Sequence, residues 1–138
     1  MFENDRVLKV AREWALKAEN DLTTAGQTLK LGAKTPTDTV CFHAQQCVEK
    51  YLKALLVRLG IDFAKTHDLS ALIALLPEKM RPSLTVEGQR LLTSYATITR
   101  YPGDYEPVTL EEARQAVKLA RRTRKQIKKF LPKKTSKT

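Results

Sequence analysis

Apolar residues recur along the chain at alternating steps of three and four, the spacing that places side chains on one face of an α-helix. The first such segment runs from about Asp5 to Leu31 and has a narrow stripe made mostly of Ala, with Trp14 at its edge. Gly32 and Pro36 predict where this helix ends. A second segment, from about Thr37 to Gly60, has a much wider apolar stripe and is predicted to be the buried central helix.

Three shorter helices are predicted in the second half of the chain. The first runs from about Asp68 to Leu76 and stops before a proline, and the next runs from about Thr85 to Thr99. The last begins at a capping box formed by Thr109 and Glu112 and continues to about Leu131. These patterns predict an all-α fold, an antiparallel up-and-down bundle of four to five helices.

Domain organisation follows from the breaks between these segments. The stretch Arg100 to Pro107 carries two prolines and a glycine and is predicted to be a loop. No alternating strand pattern and no internal repeat is present in the sequence. Residues 1–131 are therefore predicted to form one helical bundle, and residues 132–138 a basic disordered tail.

Composition agrees with a single domain, because 138 residues that are 42% hydrophobic suffice to bury a core without metal or disulfide. Cys41 and Cys47 lie six positions apart on one predicted helix, project about 240° apart and are expected to be reduced core residues. The N-terminus does not resemble a signal peptide, and the longest apolar run, around Leu69 to Leu76, is too short to span a bilayer. We expect a cytoplasmic protein without a membrane segment.

The net charge of +10 is concentrated at the C-terminal end of the sequence. Eleven of the 25 basic residues lie at or after Arg114, where there is no acidic residue, which leaves fourteen basic and fifteen acidic residues before it. Such a cluster can contact nucleic acid phosphates or an acidic partner, or it can be a solvated helix face. Within the last helix the candidate nucleic-acid contacts are Arg121, Arg122, Lys125, Lys128 and Lys129.

Three segments together resemble the HEPN family, the higher-eukaryote and prokaryote nucleotide-binding domain. They are AENDL at 18–22, CFHAQQCVEK at 41–50 followed by LKAL at 52–55, and KTHDL at 65–69, and the loop RYPG at 100–103 lies at the family's usual position. The resemblance implies a helical bundle that usually dimerises. It also implies a stand-alone prokaryotic type, often encoded beside an MNT-type nucleotidyltransferase as a two-component or toxin–antitoxin pair.

Many members of this family are ribonucleases, and their activity is assigned to an Arg followed four to six residues later by a His. The Arg stabilises phosphate charge while the His moves a proton. This chain has two histidines, His43 and His67, and neither has an Arg at that spacing. We therefore assign no catalytic residue and expect a protein that binds rather than one that catalyses.

The candidate ligand site combines polar residues of the second helix with residues of two loops. Its members are His43, Gln46, Lys50, Lys65, His67, Asp68, Arg100 and Tyr101. Such a set can hold a nucleotide or phosphate through its cations, with the tyrosine stacking on a base. Alternatively, His43 is a helix–helix hydrogen-bonding residue, His67 and Asp68 cap the short helix, and Tyr101 closes its loop.

Other features of the second helix and of the whole sequence limit the chemistry further. Gln45 and Glu49 are predicted to face solvent, with Glu49 and Lys53 forming an i,i+4 pair. The sequence has no Gly-rich phosphate loop and no ligand set for a metal, so no cofactor and no metal site are predicted.

Three functions remain open at this point. The first is a binding or regulatory HEPN subunit that forms a homodimer, associates with nucleotide or RNA and pairs with a nucleotidyltransferase. The second is a divergent HEPN ribonuclease toxin that lacks the Arg–His spacing. The third is a nucleic-acid binder that acts through its basic C-terminal helix.

Overall fold

The computed structural model describes residues 4–97 and 107–132, and the ordered elements in these two ranges are all helical. The α-helices are α1 (Asp5–Leu29), α2 (Thr37–Arg58), α3 (Leu69–Leu75), α4 (Val86–Ser94) and α5 (Leu110–Lys128), with short 3₁₀ turns at Gly32–Lys34 and Glu78–Met80. The predicted fold class, an all-α up-and-down bundle, is confirmed. Each predicted helix is present, although α4 ends before Thr99, which together with the rest of the stretch 98–106 lies outside the described residues.

The helix ends follow from local chemistry. Asp68 precedes α3, and its side chain accepts hydrogen bonds from the backbone N–H groups of Ser70 and Ala71. Thr109 and Glu112 form the predicted capping box at the start of α5. After α2, Gly60 adopts a left-handed φ of 71°, and the N–H of Ile61 donates to the carbonyl of Leu56 at 2.9 Å. This is a Schellman arrangement, which only glycine adopts without steric cost.

Helix α2 is the central element of the bundle, and it packs against α1 along its length and against α5. Most of its side chains are buried, including Tyr51, Leu52 and Leu55. The Ala seam of α1 faces it: Ala11, Ala18 and Ala25 are at most 1% exposed. Because these side chains end at Cβ, the backbones of the two helices approach closely, which places polar groups of α1 within reach of polar groups of α2.

Both cysteines are buried and form no disulfide, as predicted. Burial raises the pKa of the Cys47 thiol far above its usual range, so this group is a protonated core residue rather than a nucleophile. Among the described residues, no helix has the length and apolar character needed to cross a membrane.

Candidate functional site

A carboxylate of α1 joins two polar residues of α2. One oxygen of Asp21 lies 2.7 Å from His43 Nδ1, and the other accepts from Lys50 Nζ at 2.7 Å. His43 and Lys50 are seven positions apart, which places them on one face of α2, two turns from each other. The Asp21 side chain is only 10% exposed. Asp21 therefore pairs with Lys50 within the bundle, where α1 packs on α2, and is largely shielded from solvent.

A second carboxylate, Glu49 of α2, is almost completely buried and forms the centre of a larger cluster. Its Oε1 accepts from Gln45 Nε2 at 2.9 Å and lies 2.7 Å from His67 Nδ1. Its Oε2 accepts from Lys53 Nζ at 2.9 Å. Gln46 contributes at the edge, donating to Gln45 Oε1 at 2.7 Å. This cluster fastens the loop after α2 to the centre of the bundle.

Burial alone would raise the pKa of Glu49, because it disfavours the charged form. The hydrogen bonds from Gln45, His67 and Lys53 outweigh that effect and hold the pKa below its usual value. Glu49 is thus ionised at neutral pH. The Lys53 ammonium balances this charge, and it also lies 5.4 Å from the ring centre of Trp14 and 5.8 Å from that of Phe63.

A third polar cluster links α1, α2 and α5. Glu19 accepts a hydrogen bond from the Tyr51 hydroxyl and a second from Arg124 Nε at 2.6 Å. Burial tends to raise the pKa of Glu19, but the bonds from Arg124 and Tyr51 prevail and lower it. The same surroundings, burial first and the Glu19 carboxylate second, raise the pKa of Tyr51 well beyond its usual range. Tyr51 is therefore a hydrogen-bond donor and not an acid.

The structure divides the candidate ligand residues of the sequence into separate groups. His43 and Lys50 meet at Asp21, whereas Gln46 and His67 belong to the Glu49 cluster. Lys65 is exposed, and Asp68 caps α3. Arg100 and Tyr101 lie outside the described residues. The basic candidates on α5 are all exposed, namely Arg121, Arg122, Lys125, Lys128 and Lys129.

One prediction about α2 is wrong. Gln45 and Glu49 do not face solvent: they are 0% and 3% exposed. The physical reason is that α2 is enclosed on several sides, and the loop carrying His67 covers this face. The predicted pair between Glu49 and Lys53 is present, but it is buried rather than solvated.

Sequence reasoning also missed Asp21, Glu19 and Arg124 as members of polar clusters. A signal for Asp21 was available, since it is an acidic residue four positions before the apolar Ala25 and three after Ala18, on the seam that faces α2. No local signal links Glu19 to Arg124, which are 105 positions apart.

The chemistry available at these clusters is limited by their own charge balance. Each histidine has Nδ1 against a carboxylate, an arrangement that orients the ring and leaves Nε2 as the nitrogen that can exchange a proton. The lysines at both clusters are already paired with carboxylates. In the part of the chain that the structure describes, no group of three His, Cys, Asp or Glu side chains is arranged to hold a metal ion.

Comparison with known proteins decides the family. A sequence model of the HEPN domain matches residues 11–130, which is most of the chain and includes all three clusters. The chain belongs to the HEPN domain family. The resemblance inferred from the FHAQQ and THDL segments is therefore confirmed.

Relatives of this HEPN protein include archaeal and bacterial proteins. It is 31% identical to a protein of Methanocaldococcus jannaschii that carries the name "Putative toxin MJ1304", over 92% of this chain and 91% of that protein. The crystal structure of TT1696 from Thermus thermophilus is similar, with a TM-score of 0.72, 32% identity and coverage of 88% of this chain and 98% of that one. The crystal structure of ST0689, described as an archaeal HEPN homologue, has a TM-score of 0.67 and 28% identity, covering 86% and 95%.

Proposed function

We propose that this HEPN protein is one member of a toxin–antitoxin-like pair, and that it acts by binding nucleotide or RNA rather than by cleaving it. Its partner in this proposal is a small nucleotidyltransferase of the MNT type. The similarity to a protein named as a toxin supports the first part, because the match extends over nearly the full length of both chains.

The observation that carries the proposal is the internal pairing of the cations at the polar face of α2. Phosphoryl-transfer catalysis needs positive charge aimed at the phosphate in the transition state. At this face Lys50 is held by Asp21 and Lys53 by Glu49. These ion pairs hold α1 and the loop after α2 in place, so the two ammonium groups are not directed at a substrate phosphate. This arrangement favours a binding protein over a catalytic centre.

Two of the candidate ligand residues that remain accessible lie on the loop between α2 and α3. Lys65 is exposed, and the His67 side chain is 66% exposed although its Nδ1 is held by Glu49. A cation and an imidazole close together in sequence are suitable for a phosphate of a nucleotide or of RNA. In this proposal the Glu49 cluster positions the loop, and the loop contacts the ligand.

Complex formation tests the pairing directly. The protein is co-expressed with the nucleotidyltransferase frame adjacent to its gene, and the product is analysed by size-exclusion chromatography with light scattering. A stable complex of both chains is the expected result. If no such frame lies beside the gene, or if the two purified chains elute separately at micromolar concentration, the pairing is wrong.

A second candidate function, a divergent ribonuclease, is favoured by the two histidine–carboxylate contacts. An imidazole held at Nδ1 has the orientation and tautomer of a general base or acid at Nε2. The test is incubation of purified protein with single-stranded RNA, beside the variants His43→Gln and His67→Gln. Cleavage that is lost in either variant without a change in thermal stability would replace the binding proposal with this one.

A further inference from the structure

A groove of about 340 Å³ lies between α1 and the C-terminal end of α5. Tyr51 of α2 also lines it. The groove exists because α1 and α5 both pack on α2 but contact each other only slightly. Its walls are mostly apolar, with Ala15, Leu16 and Leu131 among them. Leu16 is 58% exposed, so it offers an apolar surface that the described residues leave uncovered.

The charge around this groove is positive. Arg12 of α1 and Lys128 of α5 line it, and both are exposed. Glu19 also lines the groove, but its charge is offset by Arg124, whose Nε lies 2.6 Å away. Since no acidic residue follows Glu112 in the sequence, the α5 side of the groove has only basic ionisable groups.

We propose that this groove is the docking site for an acidic amphipathic helix of a partner protein, which places an apolar side chain against Leu16 and carboxylates beside Arg12 and Lys128. The inference rests on the proposed function, because it assigns a surface to the partner of the pair. The volume suits one or two large apolar side chains, and a mostly apolar groove can receive the apolar face of an amphipathic helix.

Other occupants of the groove are disfavoured by the same observations. Binding of single-stranded RNA gains much of its strength from bases that stack on exposed aromatic rings. The aromatic residue that lines this groove, Tyr51, is 1% exposed and its hydroxyl is bonded to Glu19, so it offers no such surface. A second copy of the chain, docked groove to groove, would bring Arg12 and Lys128 against their own like charges. The chain's own residues 133–138, KKTSKT, have the same sign of charge as the groove.

The experiment is a titration followed by ¹H–¹⁵N NMR spectroscopy of the full-length protein. The probe is a synthetic helical peptide with Leu on one face and Glu on the other, compared with the same peptide carrying Lys for every Glu and with a single-stranded RNA oligonucleotide. Leu16→Glu is the test variant, and Val86→Glu on α4 is the matched control, since Val86 is 66% exposed and gains the same charge.

The proposal expects the acidic peptide to shift amide resonances between Ala11 and Glu19 and at the end of α5. Leu16→Glu should weaken that binding about tenfold or more, whereas Val86→Glu should not change it. The proposal is overturned if the basic peptide binds equally well, if RNA but not the acidic peptide shifts these resonances, or if dilution of the protein alone shifts these same groove resonances. Both variants are checked by thermal melting, and their exposed positions make normal folding the expected outcome.

The same variant separates this inference from the proposed function. If the wild-type protein forms no complex with the nucleotidyltransferase, the pairing is wrong, while the peptide titration still decides whether the groove accepts an acidic helix. If the complex forms and Leu16→Glu leaves its affinity unchanged, the docking site is wrong and the pairing stands.

Discussion

Substitution of Glu49 by Gln tests the energetic role of the buried carboxylate. The change keeps the size of the side chain but removes its charge, so the Lys53 ammonium, whose side chain is 9% exposed, loses its counter-ion. Removing one partner of a buried ion pair costs about 3–5 kcal/mol. The rings of Trp14 and Phe63 near Lys53 offset part of that loss, about 1 kcal/mol. We therefore expect the free energy of unfolding to fall by about 2–4 kcal/mol.

The assay is urea unfolding at pH 7, followed by circular dichroism. For a domain of this size, that loss corresponds to a decrease of about 1–2 M in the urea midpoint, with the slope unchanged. Glu111→Gln serves as a control, because the Glu111 side chain is 81% exposed and should tolerate the change. The double variant Glu49→Gln/Lys53→Met removes both charges and should recover at least about 1 kcal/mol relative to Glu49→Gln.

The pH dependence of the same variant gives an independent check. The pKa of Glu49 in the folded protein lies below its ordinary value of 4.5, so its contribution to stability is complete above that value and is lost as the pH falls through the lower, folded-state pKa. As the pH is lowered from the ordinary carboxyl range into strong acid, the free energy of unfolding should therefore fall less for Glu49→Gln than for the wild type. The claim that Glu49 and Lys53 form a stabilising buried ion pair is refuted by two results together. These are a free energy of unfolding for Glu49→Gln within about 0.5 kcal/mol of that for Glu111→Gln at pH 7, and a pH dependence equal to that of the wild type.

Three further outcomes are expected. Asp21→Asn should lower the free energy of unfolding by about 1–3 kcal/mol at pH 7, because His43 and Lys50 lose a charged acceptor; an unchanged urea midpoint would contradict this. Sedimentation equilibrium at micromolar concentration should show a homodimer, and a monomer throughout would exclude it. A stop after Pro132 removes three lysines. If these lysines contact RNA, the slope of log binding constant against log salt concentration, measured by fluorescence anisotropy, should become shallower by about two units; an identical slope would show that the tail makes no contact.

Much of the fold could be predicted from the sequence because helices are encoded locally. The apolar spacing of α1 and α2, the end of α2 near Gly60 and the capping box at Thr109 are all short-range signals, and the structure shows each of them. The mostly Ala stripe of α1 is likewise set by the helix period, and in the structure Ala11, Ala18 and Ala25 are buried where α1 packs on α2.

The polar clusters were harder to predict because they depend on how distant segments meet. Gln45 and Glu49 have the spacing of a solvated helix pair, and only the loop that brings His67 over them buries them. Asp21 contacts Lys50 through the docking register of α1 on α2, 29 positions apart in the chain. His43, Gln46 and Lys50 were therefore identified as candidate ligand residues, but the contacts of His43 and Lys50 with Asp21 and of His67 with Glu49 were not predicted.

Growth inhibition by the wild type and by His67→Gln tests most directly whether this protein acts by binding rather than by histidine chemistry. Both are expressed to equal levels in bacterial cells without the nucleotidyltransferase, after the variant has been shown to melt at the wild-type temperature within a few degrees. Growth arrest of similar strength is expected in both, because His67 performs no proton transfer in this proposal and the glutamine amide can still hydrogen-bond Glu49 and the ligand. Arrest by the wild type that disappears in His67→Gln, or no arrest by the wild type at all, would contradict it.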